Sequence, residues 1–367
     1  MKFTCDRNAL QAAVSTASRA ASPRSPIPTM EGILVEATQG EVKLTGYDLK
    51  KGIHTTIEAV VQEEGNLILS SKIFGNIVSS LPQGDVTIET KLQNVAITCE
   101  NAEFHIIGTD AADYPELPEI GAEEGTSIPQ NLLGKMIRQT IFAVSDNESR
   151  PVYTGEMFEI AEGDLTLVAV DGYRLALRRE KLDGAKQDSS FIVPGNTLSD
   201  LEKLCGDTEE PVKIKLSDKH ISFSIGRTVL ISRRLEGEFL NYRTTVPNTF
   251  ATHAKVDKAQ LQRTVERVSL IIDDRIKNPI RCSVGESQVK ILCVTGLGKA
   301  EDLCMAECDG PKVEIGFNNR YMLDVLKAAP AEELMLCLNS GSSPCVIRPA
   351  DEEENFLYMI LPVRLKA

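Results

Sequence analysis

The chain contains a strand pattern that ends in an aspartate, Val42-Lys43-Leu44-Thr45-Gly46-Tyr47-Asp48. The same layout returns at residues 165–171 and again at 289–295. A second strand pattern precedes each copy across a polar turn, at residues 32–36, 155–159 and 281–284. Alternation of apolar and polar residues is typical of half-buried strands. Three copies of one strand pair predict a chain built from three similar units.

Each unit also carries helical patterns. An opening helix is predicted at residues 6–20, 130–144 and 258–270, where apolar residues such as Leu10 and Val14 recur at helical spacing. Later in each unit a short strand runs into a second helix, predicted at 73–81, 197–204 and 320–328, and further strands follow. The sequence therefore predicts an α+β fold of three similar domains. Each domain is two half-units of one helix plus antiparallel strands.

Two stretches of turn-forming composition separate the units. Residues 116–125 are acidic with Pro and Gly, and residues 244–249 are polar and turn-rich. We therefore place the domain boundaries near residues 122 and 250. The predicted domains are 1–122, 123–250 and 251–367.

The chain has 367 residues, nine cysteines and a net charge of -13. It begins without an apolar stretch of signal-peptide length, and no apolar run approaches a membrane span, so we expect a cytoplasmic protein. An odd cysteine count in a reducing compartment favours buried free thiols over disulfides. The cysteine and histidine spacings match no zinc site, so we expect neither a metal nor a cofactor.

Positive charge is concentrated in the predicted helices. Six helical windows together hold eleven Lys and Arg against five Asp and Glu, a net charge of +6 that leaves -19 for the rest of the chain. A basic face opposed to a polyanion, with an acidic exterior, would produce this division. Ordinary solvated helices would also carry some Lys and Arg, and composition leaves both interpretations open.

Motifs for catalysis are missing from the sequence. Neither Gly-Lys pair, at 134–135 or 298–299, has the spacing of a phosphate-binding loop, and no Gly-x-Ser-x-Gly elbow occurs. Asp48 and Asp171 recur at equivalent positions after strands, which favours a turn-capping role. We therefore predict that the protein is not an enzyme, although an active site assembled from dispersed residues stays open at this point.

Several segments resemble one known family. They are Met1-Lys2-Phe3-Thr4, Leu44-Thr45-Gly46-Tyr47-Asp48-Leu49, Asp171-Gly172-Tyr173-Arg174-Leu175, Glu236-Gly237-Glu238-Phe239-Leu240-Asn241-Tyr242-Arg243 and Leu361-Pro362-Val363-Arg364-Leu365. In this order and spacing they are similar to the β subunits of bacterial DNA polymerase III, which form sliding clamps. The resemblance spans the whole chain.

This resemblance implies a head-to-tail homodimer of six domains that encircles duplex DNA, with helices lining the hole and sheets outside. It implies contact with DNA independent of base sequence. The expected DNA-binding residues are two loop residues and four basic helix residues: Arg24, Asn147, Lys72, Lys135, Arg138 and Arg263. An alternative is a scaffold that gathers peptides without DNA.

The resemblance also implies two protein-binding surfaces. An apolar cleft between domains two and three would receive short linear peptides from DNA polymerases, the clamp loader and repair proteins. Its expected residues are Tyr153, Val170, Gly172, Tyr173, Arg174, Leu175, Leu240, Met359, Ile360, Leu361, Pro362, Val363 and Arg364. The expected subunit contact joins Phe104 and Ile106 of one protomer to Leu270 and Ile271 of the other. Thr244 and Thr245 stand where family members often have Arg and an aliphatic residue.

Overall fold

The computed structural model describes residues 1–22, 27–121, 125–182, 188–273, 278–351 and 355–365. Over these residues the chain forms helices α1 Arg7–Ser18, α2 Ser71–Ser80, α3 Gln130–Thr140, α4 Gly195–Leu204, α5 Tyr242–Thr245, α6 Lys258–Ser269 and α7 Asn319–Ala328. The six longer helices fall where the sequence predicts them. None of the described helices combines the length and apolar character that a membrane crossing requires.

The strands follow the same threefold plan. The first repeat contains β1 Lys2–Asp6, β2 Gly32–Thr38, β3 Glu41–Tyr47, β4 Lys51–Glu58, β5 Val60–Glu63, β6 Gly65–Ser70, β7 Asp85–Lys91, β8 Asn94–Cys99 and β9 Ala102–Ile107. The second contains β10 Thr126–Pro129, β11 Gly155–Ala161, β12 Asp164–Val170, β13 Arg174–Lys181, β14 Ser189–Pro194, β15 Pro211–Leu216, β16 His220–Ile225 and β17 Thr228–Arg233. The third contains β18 Thr252–Asp257, β19 Ile280–Gly285, β20 Gln288–Thr295, β21 Gly298–Asp309, β22 Val313–Phe317, β23 Glu333–Leu338, β24 Cys345–Pro349 and β25 Phe356–Ile360.

The helices begin where a capping side chain follows a strand. Asp6, Ser70, Asp257 and Asn318 each end or follow a strand, and each accepts a hydrogen bond from a backbone N–H of the helix that starts there. Such caps satisfy backbone donors that have no partner within the helix. The strand-to-helix transitions are therefore encoded locally.

The chain forms two compact units, one from residues 1–134 with 200–234 and one from 135–199 with 235–367. The first unit holds a five-stranded sheet in the order β5-β1-β7-β8-β9 and an eight-stranded sheet in the order β10-β15-β16-β17-β4-β3-β2-β6. Its helices α1 and α2 bury Leu10, Val14 and Phe74 against these strands.

The second unit holds one twelve-stranded sheet in the order β14-β11-β12-β13-β25-β24-β23-β18-β21-β20-β19-β22. Its helices α6 and α7 bury Leu261, Val265 and Met322 in a core formed with the third repeat. The fold is therefore α+β with antiparallel sheets, as the sequence predicts.

Strand register repeats through the chain. Leu44 lies opposite Thr55 in the first repeat, Leu167 opposite Arg178 in the second, and Ile291 opposite Asp302 in the third. The sheets also continue from one repeat into the next, because β4 pairs with β17 and β13 pairs with β25.

Two helix predictions differ from the structure. Helix α3 ends at Thr140 and a 3-10 turn follows, whereas the sequence predicts a helix to residue 144. The hydroxyl of Thr140 donates to the carboxylate of Glu156, 2.9 Å away, where the helix ends. The short helix α5 lies in the stretch expected to be a linker, and the Thr245 hydroxyl donates back to the Asn241 carbonyl at 2.8 Å.

The cysteines occur as free thiols, as the sequence predicts. Seven of the nine are buried, including all five that the sequence places in strands: Cys99, Cys282, Cys293, Cys337 and Cys345. Burial raises the pKa of the half-buried Cys205 thiol to about 12. These thiols behave as small core side chains.

Candidate functional site

The helices present a uniformly basic charge to solvent. Among the residues of helices α1 to α7, every charged residue that is exposed is Lys or Arg. These side chains are Lys72, Lys135, Arg138, Lys203, Arg243, Arg263, Arg267, Arg320 and Lys327. Charge counts in the sequence predict a positive surface on the helices. The structure shows a stronger separation of charge than these counts, because the acidic residues of the helices are less exposed than the basic ones.

The acidic residues of the same helices are partly buried. Asp200 and Asp324 are half-buried and form ion pairs with Lys51 and Arg174 respectively. Glu266 accepts a hydrogen bond from the Gln262 side chain at 2.9 Å. Acids that are paired and partly buried contribute little negative potential outside the helix surface.

The residues expected at DNA lie on several elements. Lys72 is on α2, Lys135 and Arg138 are on α3, and Arg263 is on α6, all of them exposed. Asn147 is exposed in the loop beyond α3, where its side chain accepts a hydrogen bond from the backbone of Ser149 at 2.9 Å.

One expected residue, Arg24, lies outside the described residues. Sequence reasoning missed Lys203, Arg267, Arg320 and Lys327, although all four fall inside or next to the helices it counted. Arg267 donates to the Asp302 carboxylate at 2.6 Å, so its charge is partly balanced.

An apolar cluster in the second unit gathers six of the thirteen expected cleft residues. Val170, Leu175 and Met359 are buried within it, and Tyr153, Leu240 and Leu361 pack against it half-buried. Strands β12, β13 and β25 supply the first three, a 3-10 turn supplies Tyr153, and loops supply Leu240 and Leu361. Apolar residues that are partly open to solvent and framed by loops suit an extended peptide with a hydrophobic anchor.

A tight turn beside this cluster exposes a tyrosine. The Asp171 carboxylate accepts hydrogen bonds from the backbone N–H groups of Tyr173 and Arg174, at 2.8 and 3.0 Å. Gly172 between them has φ 91°, a conformation that glycine adopts without strain. The side chain of Tyr173 is 62% exposed. Asp48 caps the equivalent turn of the first repeat, so the predicted turn-capping role of both aspartates is confirmed.

Arg174 is held from several sides. Its guanidinium donates to Asp171 at 2.9 Å, to Asp324 at 2.5 Å and to the Phe142 carbonyl at 2.5 Å. It also lies over the ring of Tyr321, 4.4 Å from the centroid. A recess of about 330 Å³ beside it is lined by Asp146, Asn318, Asn319, Arg320 and Tyr321, among others. Arg174 therefore lines this recess, and its guanidinium is held in place by hydrogen bonds within the chain.

The carboxyl-terminal segment crosses the site as an extended chain. The backbone N–H of Leu361 donates to the Tyr173 carbonyl at 2.8 Å, and that of Val363 donates to the Gly316 carbonyl at 2.8 Å. Pro362 is half-buried, and Val363 and Arg364 are exposed. Ile360, expected in the cleft, is fully buried in the separate core of the third repeat and does not line the apolar cluster.

A second groove adjoins the cluster, and sequence reasoning missed it. It has a volume of about 740 Å³, and its lining includes Leu177, Tyr242, Val246, Met335 and Leu357. Tyr242 donates to the Glu159 carboxylate at 2.6 Å. The hydrogen bond from Arg243 is the largest cause that lowers the pKa of Glu159. Side chains alternate between the two faces of β13 and β25. This alternation places Leu177 on the same face as Leu175, and Leu357 on the same face as Met359, so the sequence contained a signal for both groove residues.

The four residues expected at a subunit contact lie on two edges. Phe104 and Ile106 are half-buried on the edge strand β9 and pack against the core of the first repeat. Leu270 follows α6 and is 84% exposed, while Ile271 is half-buried against the third-repeat core. An isolated leucine with this exposure has most of its apolar surface in water.

Comparisons with known proteins give one family along the whole chain. Residues 1–118, 127–241 and 243–364 match the N-terminal, central and C-terminal domains of the DNA polymerase III beta subunit. The beta sliding clamp of Staphylococcus aureus is 31% identical over 376 aligned positions that cover 99% of each chain. A putative DNA polymerase III beta subunit from Eubacterium rectale superposes with TM-score 0.94 at 33% identity, covering 99% of each chain. The DNA polymerase sliding clamp of Bacillus subtilis gives TM-score 0.95 at 31% identity over 100% of both chains.

Proposed function

The chain belongs to the family of DNA polymerase III beta subunits, the bacterial sliding clamps, and from this membership we propose which of its surfaces face DNA and which receive partner proteins. The protein is a DNA sliding clamp, a head-to-tail homodimeric ring that surrounds duplex DNA and tethers the replicative polymerase. It is a processivity factor and catalyses no reaction itself.

The exposed basic residues of the helices form the proposed DNA-facing surface. The observation that carries this proposal is that every exposed charged residue of helices α1 to α7 is Lys or Arg, although the chain has a net charge of -13. Duplex DNA carries about one negative charge per 1.7 Å of its axis, so such a surface is attracted along its whole length. Lysine and arginine side chains that contact phosphates, and no particular nucleotide base, allow the ring to slide. Lys72, Lys135, Arg138 and Arg263 are the proposed contacts, together with Arg24 and Asn147.

The apolar cluster around Val170, Leu175 and Leu361 is the proposed binding site for partner peptides. Its half-buried members leave apolar surface open to solvent for the hydrophobic anchor of an extended peptide. We include the adjoining groove lined by Leu177 and Met335 as its continuation. The DNA polymerase, the clamp loader and repair proteins are the proposed occupants.

The domain boundaries near residues 122 and 250 stand as part of the proposal. The family matches leave residues 119–126 unassigned, and the next break falls at 241–243, where α5 begins. Strand β18 opens the third repeat at Thr252. We place the protein in the cytoplasm, because a clamp must share a compartment with the chromosome it encircles.

Retention on DNA tests the ring directly. The protein is loaded onto nicked circular DNA with a cognate loader and ATP, passed through a sizing column at high salt, and tested again after the DNA is linearised. We expect retention on circles and loss from linear DNA, because a topological link survives salt that removes ionic contacts. Equal loss from both forms, with a loader of verified activity, would favour the peptide scaffold.

Charge reversal tests the DNA-facing surface. Arg263→Glu is expected to weaken binding to duplex DNA at low salt by about tenfold, and to lower the slope of log affinity against log salt by about one. Lys181→Glu is the matched control, because Lys181 is an exposed lysine on a strand. Equal losses for the two variants in fluorescence anisotropy would contradict a helix-specific surface.

A further inference from the structure

The eight-stranded sheet of the first unit carries a groove that the proposed function does not use, which we call the polar groove. Its floor lies on one face of strands β2, β3, β4, β15, β16 and β17, and residues 114–120 form a wall. Its volume is about 840 Å³, comparable to the groove of about 740 Å³ in the second unit. Both grooves are large enough for a ligand of several residues.

The polar groove lies at the place in the first unit that the apolar cluster takes in the second. Strand β4 pairs with β17 as β13 pairs with β25. His54 and Leu177 are each the fourth residue of their strand. They lie opposite Thr45 and Val168 respectively, so the two pairs are equivalent. Apolar side chains of the second unit are therefore replaced by polar ones in the first.

The replacement extends across the sheet. Ser222 lies opposite the fourth residue of β17, and Val346 lies opposite the fourth residue of β25. One strand further, Lys215 and Cys337 are equivalent in the same way. The residues replaced by polar ones all belong to the apolar cluster: Val168, Leu177, Val346 and Cys337. The polar groove therefore has the backbone of the proposed peptide site without its apolar floor.

The chain itself covers the apolar part of the equivalent surface. Gly52 stands where the second unit has Leu175, and a Cβ atom at Gly52 would lie 2.8 Å from the Leu117 side chain. Leu117 and Tyr114 pack together with Tyr47 in a small apolar cluster of the first unit. Leu117 therefore occupies the space of a hydrophobic anchor, and the part of the groove that stays open is polar.

Two polar atoms on the floor of the groove have no hydrogen-bond partner among the described residues. They are the hydroxyl of Thr45, a residue that is 2% exposed, and Nδ1 of His54. Burial is the largest cause that lowers the pKa of His54, to about 4, so its ring is neutral at neutral pH. Buried polar groups without partners are unfavourable, and a ligand that bonds both is favoured.

A side-chain carboxamide suits this pair of groups. Cβ atoms of directly opposite residues lie about 5 Å apart, so one planar group reaches both side chains. The carboxamide of Gln or Asn both donates and accepts, as a hydroxyl and a neutral imidazole require. A carboxylate also accepts from both, but burying its charge is unfavourable because Lys43 already pairs with Glu36 at 3.5 Å.

A lysine lies at the other side of the floor. Lys215 is half-buried and forms no ion pair with another residue that the structure describes. Its strand β15 is three strands from β4, which places the two strands about 14 Å apart. Residues i and i+4 of an extended chain are also about 14 Å apart and point the same way. An acidic residue four positions from the carboxamide would therefore reach Lys215.

We propose that the polar groove is a second peptide-binding site, for an extended segment that places a Gln or Asn side chain on Thr45 and His54 and an Asp or Glu four residues away on Lys215. The inference goes beyond the proposed function, because the clamp then holds a polar partner segment while the apolar cluster holds another partner. Glu116 and Glu119 are exposed on the wall, so segments with many acidic residues are repelled.

Capped pentapeptides without apolar anchors test the spacing. The probes are Gln-Ser-Thr-Ser-Glu and its reverse, and the control is Gln-Ser-Glu-Ser-Thr, which has the same composition with the acid two residues from the carboxamide. Affinity for the full-length protein is measured by saturation-transfer NMR, which detects weak binding. We expect one of the two probes to bind about fivefold or more tightly than the control. Equal binding of all three peptides, or no binding, would overturn the proposal.

Substitutions that copy the second unit test the contacts. Thr45→Val with His54→Leu installs the side chains of the equivalent positions, and we expect the better probe to bind about tenfold or more weakly. Lys215→Met is expected to reduce the affinity of the probe to that of the control peptide. Lys219→Met is the matched control, because Lys219 is exposed in the turn after β15 and does not line the groove. Probe affinity that is unchanged in the first two variants would exclude the groove as the site.

Two further measurements separate this inference from folding and from the proposed function. Thr45→Val with His54→Leu replaces two polar groups that lack partners, so we expect its melting temperature to be no lower than that of the wild type. An apolar peptide from the cognate polymerase is expected to bind every variant as it binds the wild type. Its failure to bind the wild type would overturn the apolar cluster as the partner site and leave the polar groove standing.

Discussion

Glu156 is a fully buried acid whose pKa is raised to about 8 because burial disfavours its charged form. The Thr140 hydroxyl donates to one carboxylate oxygen, and the other accepts no hydrogen bond from the described residues. Between its ordinary pKa of 4.5 and 8, the folded state keeps a proton that the unfolded state has released. Relative to its ionised form, protonated Glu156 makes the folded state more stable. This advantage is complete below pH 4.5 and is lost as the pH rises through 8.

Replacing Glu156 by glutamine removes this titration. We expect Glu156→Gln to be more stable than the wild type at pH 9 by an amount on the order of a few kcal/mol, with the difference shrinking towards pH 5. Urea unfolding at several pH values measures it. Glu159→Gln is the contrasting variant, because Arg243 lowers the pKa of Glu159 and its loss is expected to destabilise the protein at neutral pH. Parallel pH profiles for the two variants would contradict this account.

The thiols give a second prediction for single residues. In native protein at pH 8, we expect a thiol reagent to modify at most the two half-buried cysteines, Cys205 and Cys308, and to modify all nine in guanidinium. Rapid modification of more than two native thiols would show that the core opens readily. Colorimetric thiol titration gives the count directly.

Single residues differ in how far the sequence reveals them. Asp171 was predictable as a turn cap because its repeat equivalent Asp48 follows a strand in the same way. Ile360 was assigned to the cleft, but alternation along β25 turns it into the opposite core. The raised pKa of Glu156 was not predictable, because a single glutamate in a strand pattern carries no sign of which face it occupies.

Among the elements, the carboxyl-terminal segment after β25 is held by backbone hydrogen bonds to Tyr173 and Gly316. A chain truncated after Ile360 loses Leu361 and both bonds while β25 stays complete. We expect its affinity for a fluorescent peptide from the cognate polymerase to fall by about tenfold or more, ~1.4 kcal/mol. Fluorescence anisotropy measures this affinity.

A second truncation serves as the control for this element. Ending the chain after Leu365 keeps both anchoring bonds, so we expect peptide affinity close to that of the full chain. Sedimentation establishes that both truncated proteins remain dimers. Unchanged affinity in the chain that ends at Ile360 would exclude the terminal segment from the peptide site.

The longer helices were predictable from the sequence, and the short helix α5 was not. The longer helices were evident because apolar spacing and caps such as Asp257 coincide. Helix α5 was not, since Thr244 and Thr245 are common in turns and their hydroxyls bond the Asn241 carbonyl only in the folded loop. The basic character of the helices was visible in composition, but the ion pairs of Asp200 and Asp324 depend on partners that are distant in sequence.

At the scale of the molecule, sheets extend through the repeat boundaries. Leu230 of β17 is fully buried beside β4, so Leu230→Ala is expected to cost about 2–5 kcal/mol. We expect amide hydrogen exchange to accelerate in β4 and β17 together, because they share one ladder. Leu326→Ala, in the core of the third repeat, is the control and is expected to leave β4 protected. Acceleration confined to β17 would show that the repeats are independent.

The number of repeats was predictable because the strand pattern recurs with fixed layout. The pairing between repeats was not, because β4 and β17 are far apart in the chain and an edge strand looks like any other in sequence. The ring came from the resemblance to a family and not from the strand pattern.

The pairing of β13 with β25 also orders events during translation. Strand β13 ends at Lys181, but its partner is among the last dozen residues of the chain. A nascent chain therefore carries one open strand edge while nearly half of the protein is still being made. Such edges recruit other strands, so a ribosome stalled within the third repeat leaves a fragment primed to aggregate.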